Sequence, residues 1–94
     1  KGVTRKVFSG KNAMIVLNQI KPFAKAAIHN HPHEQLTYIL QGKCDFTLGA
    51  ELLSLQEGDL IVVPPDVPHG LKPRGDKTVI NLDVFSPIRE DYLG

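Results

Sequence analysis

The stretch His29-Asn30-His31-Pro32-His33-Glu34-Gln35-Leu36-Thr37-Tyr38-Ile39-Leu40-Gln41-Gly42 says more about this chain than any other of its length. Its second half is a β-rich run closed by a glycine, and side chains on a strand alternate between two faces. With Gln35 turned inward, Thr37 and Ile39 follow it, while Leu36, Tyr38 and Leu40 face outward. In the first half His29 and His31 stand two apart, so on a strand both rings leave the same face. Pro32 lacks a backbone donor and interrupts the ladder, so 32–34 reads as a tight reversal that sets Gln35 beside the histidine pair.

Outward from this stretch the same texture continues: short apolar runs punctuated by Gly, Pro and Asp. Strands are expected over 6–8, 14–19, 26–31, 36–41, 45–48, 52–55, 59–63, 69–72 and 78–85. Such lengths and spacings point to an all-β sandwich or barrel. Ser86-Pro87 is the one good helix start and would support one or two turns up to Tyr92. In the last strand Val79, Asn81, Asp83 and Phe85 share one face, and Ile80, Leu82 and Val84 share the other. If the polar sets line a cavity, two strands leave apolar stripes outside, which implies a covering partner; a homodimer is expected. No linker or repeat divides the chain, so residues 1–94 read as one domain.

Ninety-four residues suffice for one hydrophobic core without disulfide staples. Hydrophobic residues make up 41% and charged residues 22%, the balance of a globular domain. A net charge of +1 supplies no basic stripe, so nucleic acid is not an expected partner. The longest apolar run, 60–65, is far too short to span a bilayer, so no membrane partner is expected. A single cysteine, Cys44, and the lack of a signal-like opening stretch suit the cytoplasm.

The fourth histidine, His69, follows Pro64-Pro65-Asp66-Val67-Pro68 and would close a site from a distant strand. Imidazole nitrogens favour Zn, Ni, Cu, Fe and Mn and leave coordination positions for water or substrate. A solitary histidine is ordinarily a surface or satisfied core residue. A His-x-His pair joined by a third histidine after a Pro-rich turn favours a metal instead. His33 falls in the reversal, at the mouth, where it backs the ligands or meets solvent rather than binding the ion; Glu34 reads as an ordinary loop carboxylate. Downstream, Asp83 and Phe85 share a strand face, and Arg89 on the next turn could swing over the mouth. A carboxylate among apolar neighbours moves protons, and arginine grips carboxylates in bidentate fashion. On composition alone, Asp83 pairs locally, Phe85 is core and Arg89 is surface.

On these residues, the chain resembles the cupins, small double-stranded β-helix (jelly-roll) barrels. The first cupin motif, G-x5-H-x-H-x3,4-E-x6-G, maps onto His29, His31, Gln35 and Gly42, with Phe23 in place of the opening Gly. The second, G-x5-P-x-G-x2-H-x3-N, maps onto Gly58, Pro64, Asp66 and His69, with Asp66 replacing Gly and Pro73 replacing Asn. Together with Asp-x-Phe-x-Pro-x-Arg-x-Asp-Tyr-Leu at the C-terminal end, the pattern is similar to the pectin-degradation cupins. That resemblance implies a cupin barrel with a short C-terminal helical turn. It implies a divalent transition metal ion (Ni, Zn, Mn, Fe or Cu) on His29, His31, Gln35 and His69, and catalysis by Asp83, Phe85 and Arg89. Gln35 stands where most metal cupins have Glu, so the ion would keep its full charge, act as a stronger Lewis acid and attract an anionic sugar substrate. The implied reaction opens the ring of a 4,5-unsaturated uronate to the linear 5-keto-4-deoxyuronate. Asp83 would take the anomeric proton, Arg89 would hold the carboxylate and Phe85 would pack on the sugar. Another metal cupin enzyme (a sugar isomerase or dioxygenase) and a small-molecule-sensing cupin are the alternatives.

Overall fold

Nine antiparallel strands form two sheets in the computed structural model, which describes residues 1–93. In chain order they are β1 (Val3–Ser9), β2 (Met14–Ile20), β3 (Ala26–His29), β4 (Glu34–Gln41), β5 (Lys43–Leu48), β6 (Glu51–Gln56), β7 (Leu60–Val63), β8 (His69–Arg74) and β9 (Val79–Ser86). One sheet runs β1-β2-β9-β4-β7 and the other β3-β8-β5-β6. The late strands β8 and β9 are each inserted between early ones. That interleaving is the double-stranded β-helix, and it brings residues far apart in sequence onto adjacent strands.

Alternation decides what the barrel holds. Along β4, Gln35, Thr37 and Ile39 are buried while Leu36, Tyr38 and Leu40 are exposed. Along β9, Val79, Asn81, Asp83 and Phe85 are buried. Strand register turns these into rows across the sheet. Met14, Phe85, Gln35 and Val63 form one row, Val16, Asp83 and Thr37 the next, and Asn18, Asn81 and Ile39 the third. Beyond them Ile20, Ile39 and Val79 join Cys44, Phe46, Leu55, Val63 and Leu71 in the main core. A smaller cluster of Met14, Val16 and Phe85 packs against Val7, Ile88 and Tyr92. The buried polar side chains therefore lie between two apolar clusters.

Turn residues fit their backbones. Gly42, with φ 90°, has Thr78 O 3.0 Å from where a Cβ would stand, so the β4–β5 corner admits no side chain without movement. Asp66 has φ 67°, the one left-handed non-glycine residue among those described. Its motif position calls for glycine because the turn needs that backbone, and aspartate is among the few side chains that tolerate it. The Asp66 amide also donates to His31 O at 2.8 Å, which ties the Pro-rich turn to the histidine segment.

Two local expectations are corrected. β3 ends at His29, with a register shift between Ala26 and His29, so His31 is not a strand residue. Its ring comes from the segment beyond the strand rather than by alternation. Ser86 does not cap a helix; it is the last residue of β9, opposite Glu34 of β4. Ladder pairing outcompetes the local cap, and the helical turn is a short 3-10 segment, Glu90–Tyr92, without a side-chain cap. No helix among the described residues is long and apolar enough to cross a membrane.

Candidate metal centre

His29 sits at the end of β3 and faces His69 at the start of β8 as its register partner. Their ring centres are 4.5 Å apart, and His31 lies 5.7 Å from His29 and 4.9 Å from His69. One nitrogen from each ring can be chosen so that all three lie within 4.8 Å of one another. Nitrogens bound at 2.0–2.1 Å in a tetrahedral site are ~3.4 Å apart, so the rings would draw inward to close on an ion. His33 is outside this group, its ring 5.4 Å from that of His31.

Backbone carbonyls set the ring orientations. His29 Nδ1 donates to Ala27 O at 2.8 Å and His69 Nδ1 to Val67 O at 2.9 Å, which leaves both Nε2 atoms as free acceptors. This is the outer support that metal-binding histidines ordinarily have. His69 Nε2, the nitrogen left to meet an ion, is buried with no hydrogen-bond partner among the described residues. An orphaned buried nitrogen is costly unless something outside the protein satisfies it. Burial pushes His69 down to about 4, with the Val67 carbonyl opposing and His29, His31 and Arg89 adding to the shift. Burial also lowers His31, against the Gln35 contact. Both rings are therefore neutral at pH 7, the form that binds metals. Three histidines thus could hold a metal ion, and the unpartnered His69 Nε2 suits that role.

Gln35 Oε1 meets His31 Nε2 at 3.1 Å, so the fourth expected ligand stands with the trio. Its Nε2 donates to Thr37 Oγ1 at 2.9 Å, and Thr37 Oγ1 donates to Asp83 Oδ1 at 2.7 Å. Asn81 Nδ2 donates to the same oxygen and Asn18 Nδ2 to Asp83 Oδ2, both at 2.9 Å. Burial pushes the Asp83 carboxyl up to about 6, although donors from Thr37, Asn81 and Asn18 favour its charge. Burial wins, because each neutral donor recovers only part of the hydration lost.

Phe85 stands edge-on to His31, ring centres 5.4 Å apart. Arg89 is not the surface residue that composition suggests; it is buried. Nor is it free to swing. Its Nη2 pairs with Asp91 at 2.8 Å, and its Nη1 donates to Tyr92 Oη at 2.9 Å. Its guanidinium carbon lies 4.0 Å from the Tyr92 ring centre and 5.2 Å from that of Phe85. Arg5 of β1 comes within 4.2 Å of the same Tyr92 ring and has no ion pair among the described residues.

A cavity of about 470 Å³ is bordered by His29, Gln35, His69, Asp83, Arg89 and Arg5, among others. It falls in the size range of small-molecule sites. All seven residues that the sequence marks therefore gather at one end of the barrel. Thr37, Asn18, Asn81, Arg5 and Tyr92 belong to the same place with weaker marks or none. Alternation puts Thr37 with Gln35 and Asn81 with Asp83. Asn18, Arg5 and Tyr92 have no local signal, since only strand order brings them in.

A family model described as a cupin domain matches residues 16–85. Among solved structures, an RmlC-like cupin from Shewanella frigidimarina shares 30% identity, covers 97% of this chain and 81% of its own, and superposes with a TM-score of 0.89. KdgF from a Halomonas species shares 30% identity over 97% of this chain and 85% of its own, with a TM-score of 0.87. A Bacillus subtilis protein named H2HPP isomerase is 26% identical over 73 residues, 74% of this chain. The chain spans less than half the length of the curated relatives it matches, 30% in that isomerase.

Proposed function

This chain belongs to the cupin domain family, and from that premise we propose that it is a metal-dependent enzyme that opens the ring of a 4,5-unsaturated uronate. The observation that carries the reading is the shared cavity: a buried carboxylate, Asp83, lines the same pocket as His29, Gln35 and His69. The C-terminal Asp-x-Phe-x-Pro-x-Arg pattern and the likeness to KdgF support it.

His29, His31, Gln35 and His69 would hold a divalent transition ion (Ni, Zn, Mn, Fe or Cu). When bound, such an ion supplies undiminished positive charge, because all four ligands are neutral. Asp83 takes the proton from the anomeric hydroxyl. The hemiacetal then collapses: C1 becomes an aldehyde, the ring C–O bond breaks, and its electron pair stays on the former ring oxygen as an enolate. A proton returns to C4 to give the 5-keto-4-deoxy product, so the step is an isomerisation with no co-reactant. Asn81 Oδ1, buried and without a hydrogen-bond partner among the described residues, accepts from a sugar hydroxyl in this reading. Phe85 packs on the sugar and limits water. Asp91 and Tyr92 already occupy part of the Arg89 fork, so we assign the substrate carboxylate to its remaining donors together with Arg5.

The test is to supply the unsaturated monosaccharide released by a polysaccharide lyase and follow loss of its double-bond absorbance. Metal-loaded protein should accelerate that loss well beyond the spontaneous rate, and a chelator should abolish the gain. A spontaneous rate with metal demonstrably bound would overturn the assignment. Oxygen uptake in the same assay would point to the dioxygenase alternative.

A further inference from the structure

The chain of contacts from Asp83 to Gln35 has a direction, and the direction follows from which atoms can donate. An ionised carboxylate only accepts, and the two oxygens of Asp83 face donors alone: Asn18, Asn81 and Thr37. The Thr37 contact is 2.7 Å, the shortest of the three, as suits a hydroxyl donating to a charged oxygen. Thr37 has one hydroxyl proton, and it is committed to Asp83. Toward Gln35 the hydroxyl therefore offers only lone pairs, so the amide NH₂ must be the group that meets it, at 2.9 Å. A planar amide with its nitrogen on Thr37 turns its oxygen the other way, onto the His31 Nε2 side at 3.1 Å.

We propose, resting on the metal reading above, that Thr37 is a positioning residue. It transmits the acceptor character of Asp83 to Gln35, fixes the amide oxygen toward the ion, and requires an amide rather than a carboxylate at position 35. A glutamate there would bring a second acceptor-only group to a hydroxyl with a single proton. One of the two buried carboxylates would then lose the Thr37 proton, and both would carry the same charge. The Gln that departs from the usual cupin motif is thus set by Asp83 on the neighbouring strand, not by the ion alone. Gln35, Thr37, Asn81 and Asp83 are all buried, so water offers no easy replacement for a missing donor.

Two measurements test this, and they fail independently. The first is Zn²⁺ affinity by competition with a chromophoric chelator. Thr37→Val keeps the volume and removes the hydroxyl, and should weaken binding 10–100-fold, the usual effect of losing an outer support. Thr37→Ser should bind within a few-fold of the parent. Equal affinity in Thr37→Val and the parent would overturn the relay. The second uses metal-free protein and reads thermal midpoints for Gln35→Glu, Asp83→Asn and the pair. Gln35→Glu alone should lower the midpoint by roughly 4–8 °C or more, the shift of ~1 kcal/mol in a chain this size. In the Asp83→Asn background it should lower it far less. Additive changes would overturn the relay even if the site binds zinc. Should the parent bind no ion, the metal reading falls, and the thermal comparison still decides the relay.

Discussion

Asp83 is the residue in which burial and hydrogen bonding pull hardest against each other. Donors from Thr37, Asn81, Asn18 and Gln35 favour its charged form, yet burial holds the carboxyl up at about 6. A group so poised is ionised at neutral pH and retains enough basicity to take a proton. Asp83→Asn keeps the shape and removes the base, so turnover at saturating metal should fall ~10²–10⁴-fold, the usual worth of a general base. In the parent, only the ionised form works, so kcat/KM should rise with pH through a midpoint at or below about 6. A bound dication nearby can only move that midpoint lower. Metal content read at each pH separates loss of the base from loss of the ion, since His31 and His69 also take up protons in acid. Undiminished turnover in Asp83→Asn, or a flat profile at constant metal content, removes Asp83 from the chemistry. Cys44 makes the contrast: buried in the main core, its thiol is pushed up to about 11, so it packs and does not react.

Among the elements, β3 and β8 matter most, because their pairing sets His29 against His69. Gly70 makes that approach possible. A Cβ there would stand 2.9 Å from Ala26 O and 2.9 Å from Ile28 Cγ1, and the carbonyl is backbone that cannot rotate away. Gly70→Ala should cost roughly 1–3 kcal/mol, the usual range for overpacking, and push β3 outward with His29. Denaturant unfolding and zinc titration should both show the loss; parental stability and affinity together would mean the two strands can separate freely. How much of this is legible in the sequence depends on range. Alternation along β4 and β9 is local, so the inward set of Gln35, Thr37, Asn81, Asp83 and Phe85 is readable. The end of β3 at His29 is not, because the ladder stops where its partner strand β8 begins, at His69. The Ser86-Pro87 cap signal is real chemistry but weaker than a ladder with Glu34. β1 reads shorter than it is because Thr4, Arg5 and Lys6 hide its period; it forms by pairing with β2 along its whole length. For the same reason nothing local ties Arg5 to the cavity.

At the scale of the whole molecule, one face differs from what a solvated sheet normally shows. Antiparallel sheets covered on one side usually alternate apolar in and polar out. The outer face of the five-stranded sheet is apolar instead, and register joins its residues into continuous rows. Phe8, Ile15, Val84, Leu36 and Val62 cross all five strands, and beside them run Leu17, Leu82, Tyr38 and Leu60. Exposure reaches 76% at Phe8, 72% at Leu60, 52% at Val62 and 45% at Leu36. Phe8, Ile15, Leu36, Tyr38, Leu60 and Val62 are each more than a third exposed on this one face, a contiguous apolar patch of the kind that marks an interaction surface. Thr4, Lys6 and Gln19 lie at its border, giving the polar rim that interfaces have. We propose a second copy of this chain as the occupant, since an apolar face needs no charge complement and can meet its own copy about a two-fold axis. Light scattering at micromolar concentration should then give about twice the 10.4 kDa of one chain. Leu36→Glu combined with Val62→Glu places like charges on adjacent strands of that face and should give single copies with unchanged β-sheet circular dichroism. The cavity lies on the opposite, inner face, so zinc affinity in those single copies should match the parent. A parent that scatters as one chain, or a double variant that remains paired, would leave this face to some other partner.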